Sequence, residues 1–308
     1  MRVLIVCSGN NNRISPYIVD QVLSLNELEI CTEYYVIVNK GAFGYLKNLK
    51  PLKNKIKTFK PDVIHAHYGL SGLIANLQRK TPVVVTFHGS DINFGNNRFF
   101  SRIAFFLSAK CIFVSEKLAK KLTRNIQKII PCGVDLSIFK PLDKNESKRL
   151  LGLNTTKKYI LFPGSYNNYV KNYQLAKKAL HCLNSDSIVE MIELKGYSRM
   201  EVSTLLNAVD LVLMTSFSEG SPQVIKEALA CNCPVISTDV GDISVIINKM
   251  DGCYITSNNP IEISNKIKDV LAYNRPIKGV ERILELGLDS ISTSKKIFEI
   301  YKEVLSDK

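Results

Sequence analysis

Short apolar runs rich in valine and isoleucine alternate with longer amphipathic segments along almost the whole chain, and this alternation limits the fold more than any other sequence feature. Such a pattern predicts parallel sheets built from βαβ units. The predicted strands are Arg2–Cys7, Tyr34–Val38, Asp62–Ala66, Pro82–Phe87, Lys110–Val114 and Gln127–Ile130, followed by Tyr159–Pro163, Ile188–Leu194, Asp210–Met214, Pro234–Ser237 and Gly252–Ile255. The predicted fold class is therefore α/β, with two series of strands.

A stretch with neither helical nor strand periodicity, Pro131–Pro141, separates the two series and contains glycine and two prolines. A chain of 308 residues is also long enough for about two domains. We expect a first doubly wound domain over 1–140 and a second over 141–290. An amphipathic C-terminal helix over 291–308 is expected to pack back toward the first domain.

The charge of the chain is concentrated in its first half. The formal net charge is +13, and residues 1–142 hold 20 basic and 8 acidic side chains, whereas residues 143–308 hold 21 and 20. This asymmetry predicts that the first domain meets an anionic surface or substrate. A nucleic-acid partner is not expected, because no nucleic-acid motif or aromatic ladder accompanies the charge.

The basic residues are densest in the segment Lys47–Lys60. Leu49, Leu52, Ile56 and Phe59 recur there at helical spacing, with lysines on the other faces. Two interpretations stay open. The helix either packs its apolar stripe on its own sheet, or it lies on an anionic membrane surface. Residues 98–107 are a second candidate for such an interfacial helix.

The longest apolar runs are far shorter than the ~20 residues that span a bilayer, and the N-terminus lacks a secretory pattern. We therefore expect a cytoplasmic protein, compatible with a peripheral position on the inner face of the cell membrane. Eight scattered cysteines predict reduced thiols. His65 and His67 could share one strand face, but no carboxylate or cysteine cluster joins them, so structure or acceptor contact is favoured over metal binding.

The segment that follows the strand Asp210–Met214 carries the most specific chemistry. The apolar strand leads into Glu219 and Gly220, after which Ser221 can cap a helix with Pro222 at its first position. The amides of Ser221, Gln223 and Val224 would then face an anion such as a diphosphate. Glu227 lies further along the same helix, and its carboxylate can accept hydrogen bonds from two vicinal ribose hydroxyls.

These residues, followed by Cys233–Gly241, resemble the donor-site motif of family-4 retaining glycosyltransferases, whose GT-B fold has two Rossmann-like domains facing a central cleft. The segments Asp62–Gly69 and Thr86–Asp91 resemble strand ends of that family's acceptor domain. Pro131–Pro141 resembles its interdomain strand and linker. The resemblance covers nearly the whole chain in the right order.

The resemblance implies a metal-independent, retaining hexosyltransferase without a cofactor, in which a UDP- or GDP-sugar donates to a glycan or glycolipid acceptor. Its setting would be bacterial surface polysaccharide synthesis. The implied catalytic residues are Glu219, His88 and Lys171. The implied donor-binding residues are Glu227, Gly220, Ser221, Pro222, Gln223, Val224, Gly164, Ser165, Gly9 and Asn10, and the acceptor-side residues are His67, Arg13 and Asp91.

One departure from the family concerns the segment before Lys171. The family has an arginine about six residues earlier, whereas this chain reads Gly-Ser-Tyr-Asn-Asn over 164–168. Either the helix amides suffice, or Arg13 or Arg199 supplies a second cation, or donor binding is weak. Two other functions stay open: a nucleotide-sugar epimerase of the same fold, and a non-catalytic, partner-dependent subunit, since 308 residues is short for the family.

Overall fold

The computed structural model describes residues 1–9, 13–125, 128–183, 189–273 and 275–307. The chain divides into two units. Unit 1 comprises Met1–Gly133 with Ser290–Lys308, and unit 2 comprises Val134–Asp289.

Unit 1 contains a parallel six-stranded sheet in the order β2-β1-β3-β4-β5-β6. Its strands are β1 (Arg2–Ser8), β2 (Cys31–Ile37), β3 (Val63–His67), β4 (Val83–Phe87), β5 (Lys110–Phe113) and β6 (Lys128–Ile129). Its helices are α1 (Pro16–Glu27), α2 (Gly41–Leu46), α3 (Leu49–Phe59), α4 (Gly69–Asn76), α5 (Ser90–Asn93), α6 (Gly95–Leu107), α7 (Glu116–Ala119) and the C-terminal helix Ser290–Ser306 (α15 in chain order).

Each face of this sheet is covered by its own helices. One hydrophobic cluster joins the sheet to α2, α3 and α4, and a second joins it to α1 and α15. Tyr301 of α15 is fully buried in the second cluster. The C-terminal helix is therefore part of the core of unit 1.

The basic segment Lys47–Lys60 forms one helix, α3, which a turn at Lys47 and Asn48 separates from α2. The buried Asn48 side chain donates to the carbonyl oxygens of Val38 (2.8 Å) and Gly44 (2.9 Å). Within α3, Leu52 and Phe59 are buried in the unit 1 core. The apolar stripe of this helix thus packs on its own sheet, while the lysines remain at the surface.

Unit 2 contains a parallel five-stranded sheet in the order β11-β10-β9-β7-β8. Its strands are β7 (Lys158–Phe162), β8 (Val189–Glu193), β9 (Leu211–Met214), β10 (Val235–Thr238) and β11 (Tyr254–Thr256). Its helices are α8 (Lys144–Leu150), α9 (Tyr173–His181), α10 (Arg199–Ala208), α11 (Gln223–Ala230), α12 (Ile243–Ile246), α13 (Pro260–Ala272) and α14 (Gly279–Glu285). Helices α9 and α13 cover one face, and α10, α11, α12 and α14 the other.

The division between the units falls at Gly133, earlier than the expected 140. Val134 N donates to Leu288 O (2.9 Å), and Phe139 is buried in the unit 2 core. Asn207 fixes the following residues, since its side chain donates to Lys140 O (3.0 Å) and accepts from Leu142 N (2.7 Å). Most of the predicted linker is therefore a packed part of unit 2.

Helices α5, α8, α12 and α14 are four to seven residues long, which is too short for sequence periodicity to predict them. Helix α8 has a local signal, because the Asp143 side chain caps it by accepting from Glu146 N at 2.8 Å. The predicted strand residues Gln127 and Ile188 lie outside the described residues.

Candidate functional site

The strand order of unit 2 reverses between β7 and β9. The chain passes from β7 to β8 on one side and then crosses to β9 on the other. Open parallel sheets bind ligands outside the carboxyl ends of their strands at such a point. The loops that follow β7 and β9 contain Gly164, Lys171 and Glu219, so three predicted site residues lie at this reversal.

The two loops are hydrogen bonded to each other. The Thr215 hydroxyl donates to Lys171 O (3.1 Å) and Asn172 O (3.0 Å), and Phe217 N donates to Val170 O (2.9 Å). Thr238, at the end of β10, donates to Ser216 O at 2.9 Å. Three strand ends thus hold this region in one arrangement.

A charged pair lies within these loops. Lys171 Nζ donates to Glu219 Oε1 at 2.8 Å, and the Ser216 hydroxyl donates to the same oxygen at 2.9 Å. Both charged side chains are mostly buried. Gly164 makes room for the lysine, because a Cβ at that position would lie 3.0 Å from Lys171 Cγ. The pair offers a cation and a carboxylate side by side.

Helix α11 begins one residue later than expected. Pro222 is its N-cap and Gln223 its first residue, and no side chain caps it. The prediction that Ser221 caps this helix is wrong, because its hydroxyl donates to Asp242 Oδ2 at 2.7 Å. Val224 lies in the first turn, where amides lack intrahelical acceptors, and Glu227 is half-buried one turn further along.

Two other residues of unit 2 have structural contacts. The Arg199 guanidinium stacks over the Phe139 ring at 5.1 Å from its centroid. Arg199 therefore packs against the core of unit 2, to which Phe139 belongs. The Ser165 hydroxyl accepts from Asn167 N at 3.3 Å, within the turn after β7.

In unit 1, His88 follows β4 and is half-buried. Its Nε2 lies 3.0 Å from His67 Nδ1, and its Nδ1 lies 3.6 Å from Cys132 Sγ. The Tyr17 and Tyr68 rings pack against it, with centroids at 5.1 and 4.7 Å. Sequence reasoning missed Cys132 and both tyrosines, since no local pattern connects them to His88.

His67 is fully buried and therefore lies behind His88, which corrects its assignment as an acceptor-contact residue. Burial lowers the pKa of His67 to about 3. Burial, and then the neighbouring His67 and His88, lower the pKa of His65 well below its ordinary value. Both rings are thus neutral near pH 7. Among the described residues, no group of three or more histidine, cysteine or acidic side chains is arranged to hold a metal.

Asp91 is also turned inward, against its assignment to the acceptor side. Its carboxylate accepts from the amides of Gly89 (2.8 Å), Gly69 (3.1 Å) and His88 (3.2 Å). Burial raises the pKa of Asp91 to about 6, although these amides oppose the shift. Asp91 therefore stabilises the turn that carries His88.

The loop after β1 is only partly described. Gly9 N donates to Ile37 O (2.9 Å), and a Cβ at Gly9 would lie 2.4 Å from Val36 Cγ1, so glycine is required here for packing against β2. Asn10 lies outside the described residues, and Arg13 is exposed. No helix in the described part of the chain is both long and apolar enough to span a bilayer.

Solved structures share this architecture. The sucrose-phosphate synthase of Thermosynechococcus elongatus aligns over 100 % of both chains with a TM-score of 0.85 and 14 % identity. HepE of Anabaena, solved in complex with UDP-glucose, aligns over 97 % of this chain and 99 % of its own with a TM-score of 0.75 and 15 % identity. Two doubly wound, Rossmann-like parallel sheets of this kind define the GT-B class of α/β proteins.

Family models identify the chain further. Residues 2–138 match Glycosyltransferase Family 4, and residues 176–273 match Glycosyl transferases group 1. The chain belongs to this family of glycosyltransferases, as its motifs predicted.

Two relatives have informative names. TuaC of Bacillus subtilis, named as a teichuronic acid biosynthesis glycosyltransferase, is 30 % identical over 61 % of this chain and 56 % of its own length. The UDP-Gal:alpha-D-GlcNAc-diphosphoundecaprenol alpha-1,3-galactosyltransferase of Escherichia coli is 24 % identical over 85 % of this chain and 81 % of its own. The chain thus matches little more than half of TuaC.

Proposed function

We propose that this protein transfers a hexose from a nucleotide sugar to a hydroxyl acceptor, with retention of anomeric configuration and without a metal. The observation that carries the proposal is the Lys171–Glu219 pair beside the start of α11, at the β7/β9 reversal. The UDP-glucose complex of HepE and the UDP-Gal donor in the name of the Escherichia coli relative support a nucleotide-sugar donor.

In unit 2, we assign Lys171 and the first amides of α11 to the donor diphosphate and Glu227 to the ribose. Cleavage of the sugar–phosphate bond leaves negative charge on the diphosphate, which a preorganised cation and amides stabilise. The acceptor oxygen bonds to the anomeric carbon of the sugar on the same face from which the phosphate leaves. The proton of the acceptor hydroxyl passes to the departing phosphate oxygen. Glu219 holds Lys171 and lies beside the sugar.

In unit 1, we assign His88 to the donor sugar and the acceptor hydroxyl. Its Nε2 bonds to the buried His67 at 3.0 Å, which fixes the ring plane. Its Nδ1 has only a weak sulfur contact, Cys132 Sγ at 3.6 Å, which we expect the acceptor hydroxyl to replace. His67 acts through His88 as a positioning residue. Arg13, which is exposed, remains a candidate for acceptor contact.

Thermal unfolding with UDP, GDP, ADP or CMP tests the donor site. One nucleotide, at about a hundred times its Kd, should raise the free energy of unfolding by about 2.7 kcal/mol. Glu227→Ala should abolish this stabilisation because the ribose contact is lost, and Glu281→Ala, at an exposed position of α14, should preserve it. Stabilisation by no nucleotide would contradict the donor site and favour the non-catalytic subunit. Isomerisation of the donor without acceptor would favour the epimerase.

We further propose a lipid-linked acceptor at an anionic membrane surface, in line with the diphosphoundecaprenol acceptor in the relative's name. Residues 34–115 of unit 1 hold 12 basic side chains but only two acidic ones, Asp62 and the buried Asp91. Phe43 of α2 and Phe99 and Phe106 of α6 are 86 %, 64 % and 72 % exposed. Exposed aromatic rings among basic side chains are typical of interfacial binding.

Sedimentation with vesicles that contain phosphatidylglycerol tests this surface. Changing Lys47, Lys50, Lys53 and Lys57 to glutamate should abolish binding, since each basic residue near the membrane contributes about 1 kcal/mol. A matched variant changes Lys177, Lys178, Lys268 and Lys278, four exposed lysines of unit 2, to glutamate and should still sediment. Equal binding by both variants would contradict the proposal, because binding would then not depend on where in the chain the lysines lie.

A further inference from the structure

Lys226 is a lysine with no solvent exposure, in the first half of α11. A buried ammonium group is costly unless its protons are bonded. Lys226 Nζ donates to the Ser221 hydroxyl oxygen at 3.1 Å. The side chain therefore reaches back along the helix to the turn that precedes it, which also carries Glu219.

The direction of the next hydrogen bond follows from the chemistry of a hydroxyl. Ser221 has one hydroxyl proton, and its oxygen already accepts from the lysine. The proton therefore points to Asp242 Oδ2, 2.7 Å away. Lysine, serine and aspartate form a continuous chain of bonds between α11, the turn before it and the loop after β10.

The loop after β10 also contacts this turn directly. Gly241 has φ +57°, and a Cβ there would lie 2.6 Å from the carbonyl oxygen of Gly220. The backbones are thus close enough that only glycine fits. The turn has the β10 loop on one side and Lys226 beneath it, and it does not shift without breaking one of these contacts.

We propose that Lys226, Ser221 and Asp242 form a clamp that sets the Glu219–Pro222 turn, and with it the first amides of α11, in the position that binds the donor diphosphate. The proposal rests on the donor site described above. Lys226 is a positioning residue, because it has no exposed surface and acts through Ser221. The bonds to Lys226 and Asp242 hold the Ser221 hydroxyl, so it is not available to cap the helix.

The chain offers a matched control in Lys148 of α8. This lysine is 3 % exposed, and its Nζ donates to the carbonyl oxygens of Lys157 (2.7 Å) and Thr155 (3.3 Å), next to the start of β7. The binding site is at the opposite ends of the strands. Lys148→Met therefore removes a buried, hydrogen-bonded lysine from the same unit without touching the clamp.

Isothermal titration with the nucleotide that stabilises the wild type tests the clamp. Lys226→Met should raise Kd at least tenfold, Lys226→Arg should recover part of the affinity, and Lys148→Met should leave Kd within twofold. Ser221→Ala, which removes only one hydroxyl, should raise Kd severalfold and provides the test should Lys226→Met fail to fold.

Three outcomes would overturn the clamp. Unchanged affinity in Lys226→Met would contradict the clamp and leave the proposed donor site standing. Unchanged affinity in Ser221→Ala would do the same if the lysine variant is unfolded. Equal losses in Lys226→Met and Lys148→Met would assign the effect to general destabilisation. If the wild-type protein binds no nucleotide, both the proposed donor site and the clamp are contradicted.

Discussion

Lys171→Met is expected to lower kcat/KM for sugar transfer by about a hundredfold or more. Removing one preorganised donor that stabilises a developing anion typically costs about 10²–10³ in rate, and Lys171 is the cation placed at the β7/β9 reversal. The change also leaves Glu219, which is mostly buried, without its 2.8 Å ion-pair partner. Steady-state kinetics with the donor identified by thermal unfolding provide the measurement.

A comparable ion pair elsewhere in unit 2 supplies the control. Lys266 Nζ lies 2.8 Å from Asp269 Oδ2 at the surface of α13, and such exposed pairs contribute little. Lys266→Met should therefore leave the kinetics unchanged. Wild-type kcat/KM in Lys171→Met would show that the helix amides alone stabilise the leaving diphosphate. It would end the assignment of Lys171 as a catalytic residue.

The fold follows closely from sequence periodicity because strands buried on both faces read as continuous apolar runs. The ends of the helices were harder to predict. The helical spacing of Leu49, Leu52, Ile56 and Phe59 does not show where α3 begins. The buried amide of Asn48 bonds to Val38 O and Gly44 O and separates α3 from α2. These bonds depend on where β2 ends relative to the helix, a tertiary relation that local spacing does not contain.

The same limit applies to the candidate site. Glu219 and Lys171 could be identified from a motif, because each follows a strand end, and the structure places them in contact. The role of Ser221 was predicted wrongly, since its partners Lys226 and Asp242 come from a buried helix position and a separate loop. Burial argues against the assignment of Asp91 to acceptor contact. Its carboxylate faces backbone amides, and no sequence pattern identifies this arrangement.

Tyr301→Ala is expected to destabilise unit 1 by about 3–5 kcal/mol, which is the usual cost of removing a fully buried aromatic side chain. Its hydroxyl lies 2.5 Å from His65 Nδ1, while His65 Nε2 bonds to the Thr86 hydroxyl at 2.7 Å. Tyr301→Phe keeps the ring and should cost only about 1–2 kcal/mol, because one hydrogen bond to a buried ring nitrogen is lost.

Hydrogen exchange measured by mass spectrometry separates this effect by unit. Amides of β1 and β3 should exchange faster in Tyr301→Ala, whereas those of β7 and β9 should keep wild-type rates, because Tyr301 is buried in a hydrophobic cluster of unit 1. Ile291→Ala, at a half-exposed position of the same helix, should change neither group. His65 stacks on His67 at 4.6 Å, and His67 bonds to His88. Loosening of α15 should therefore also lower transferase activity. Unchanged exchange in β1 and β3 would show that α15 does not support His65, His67 and His88.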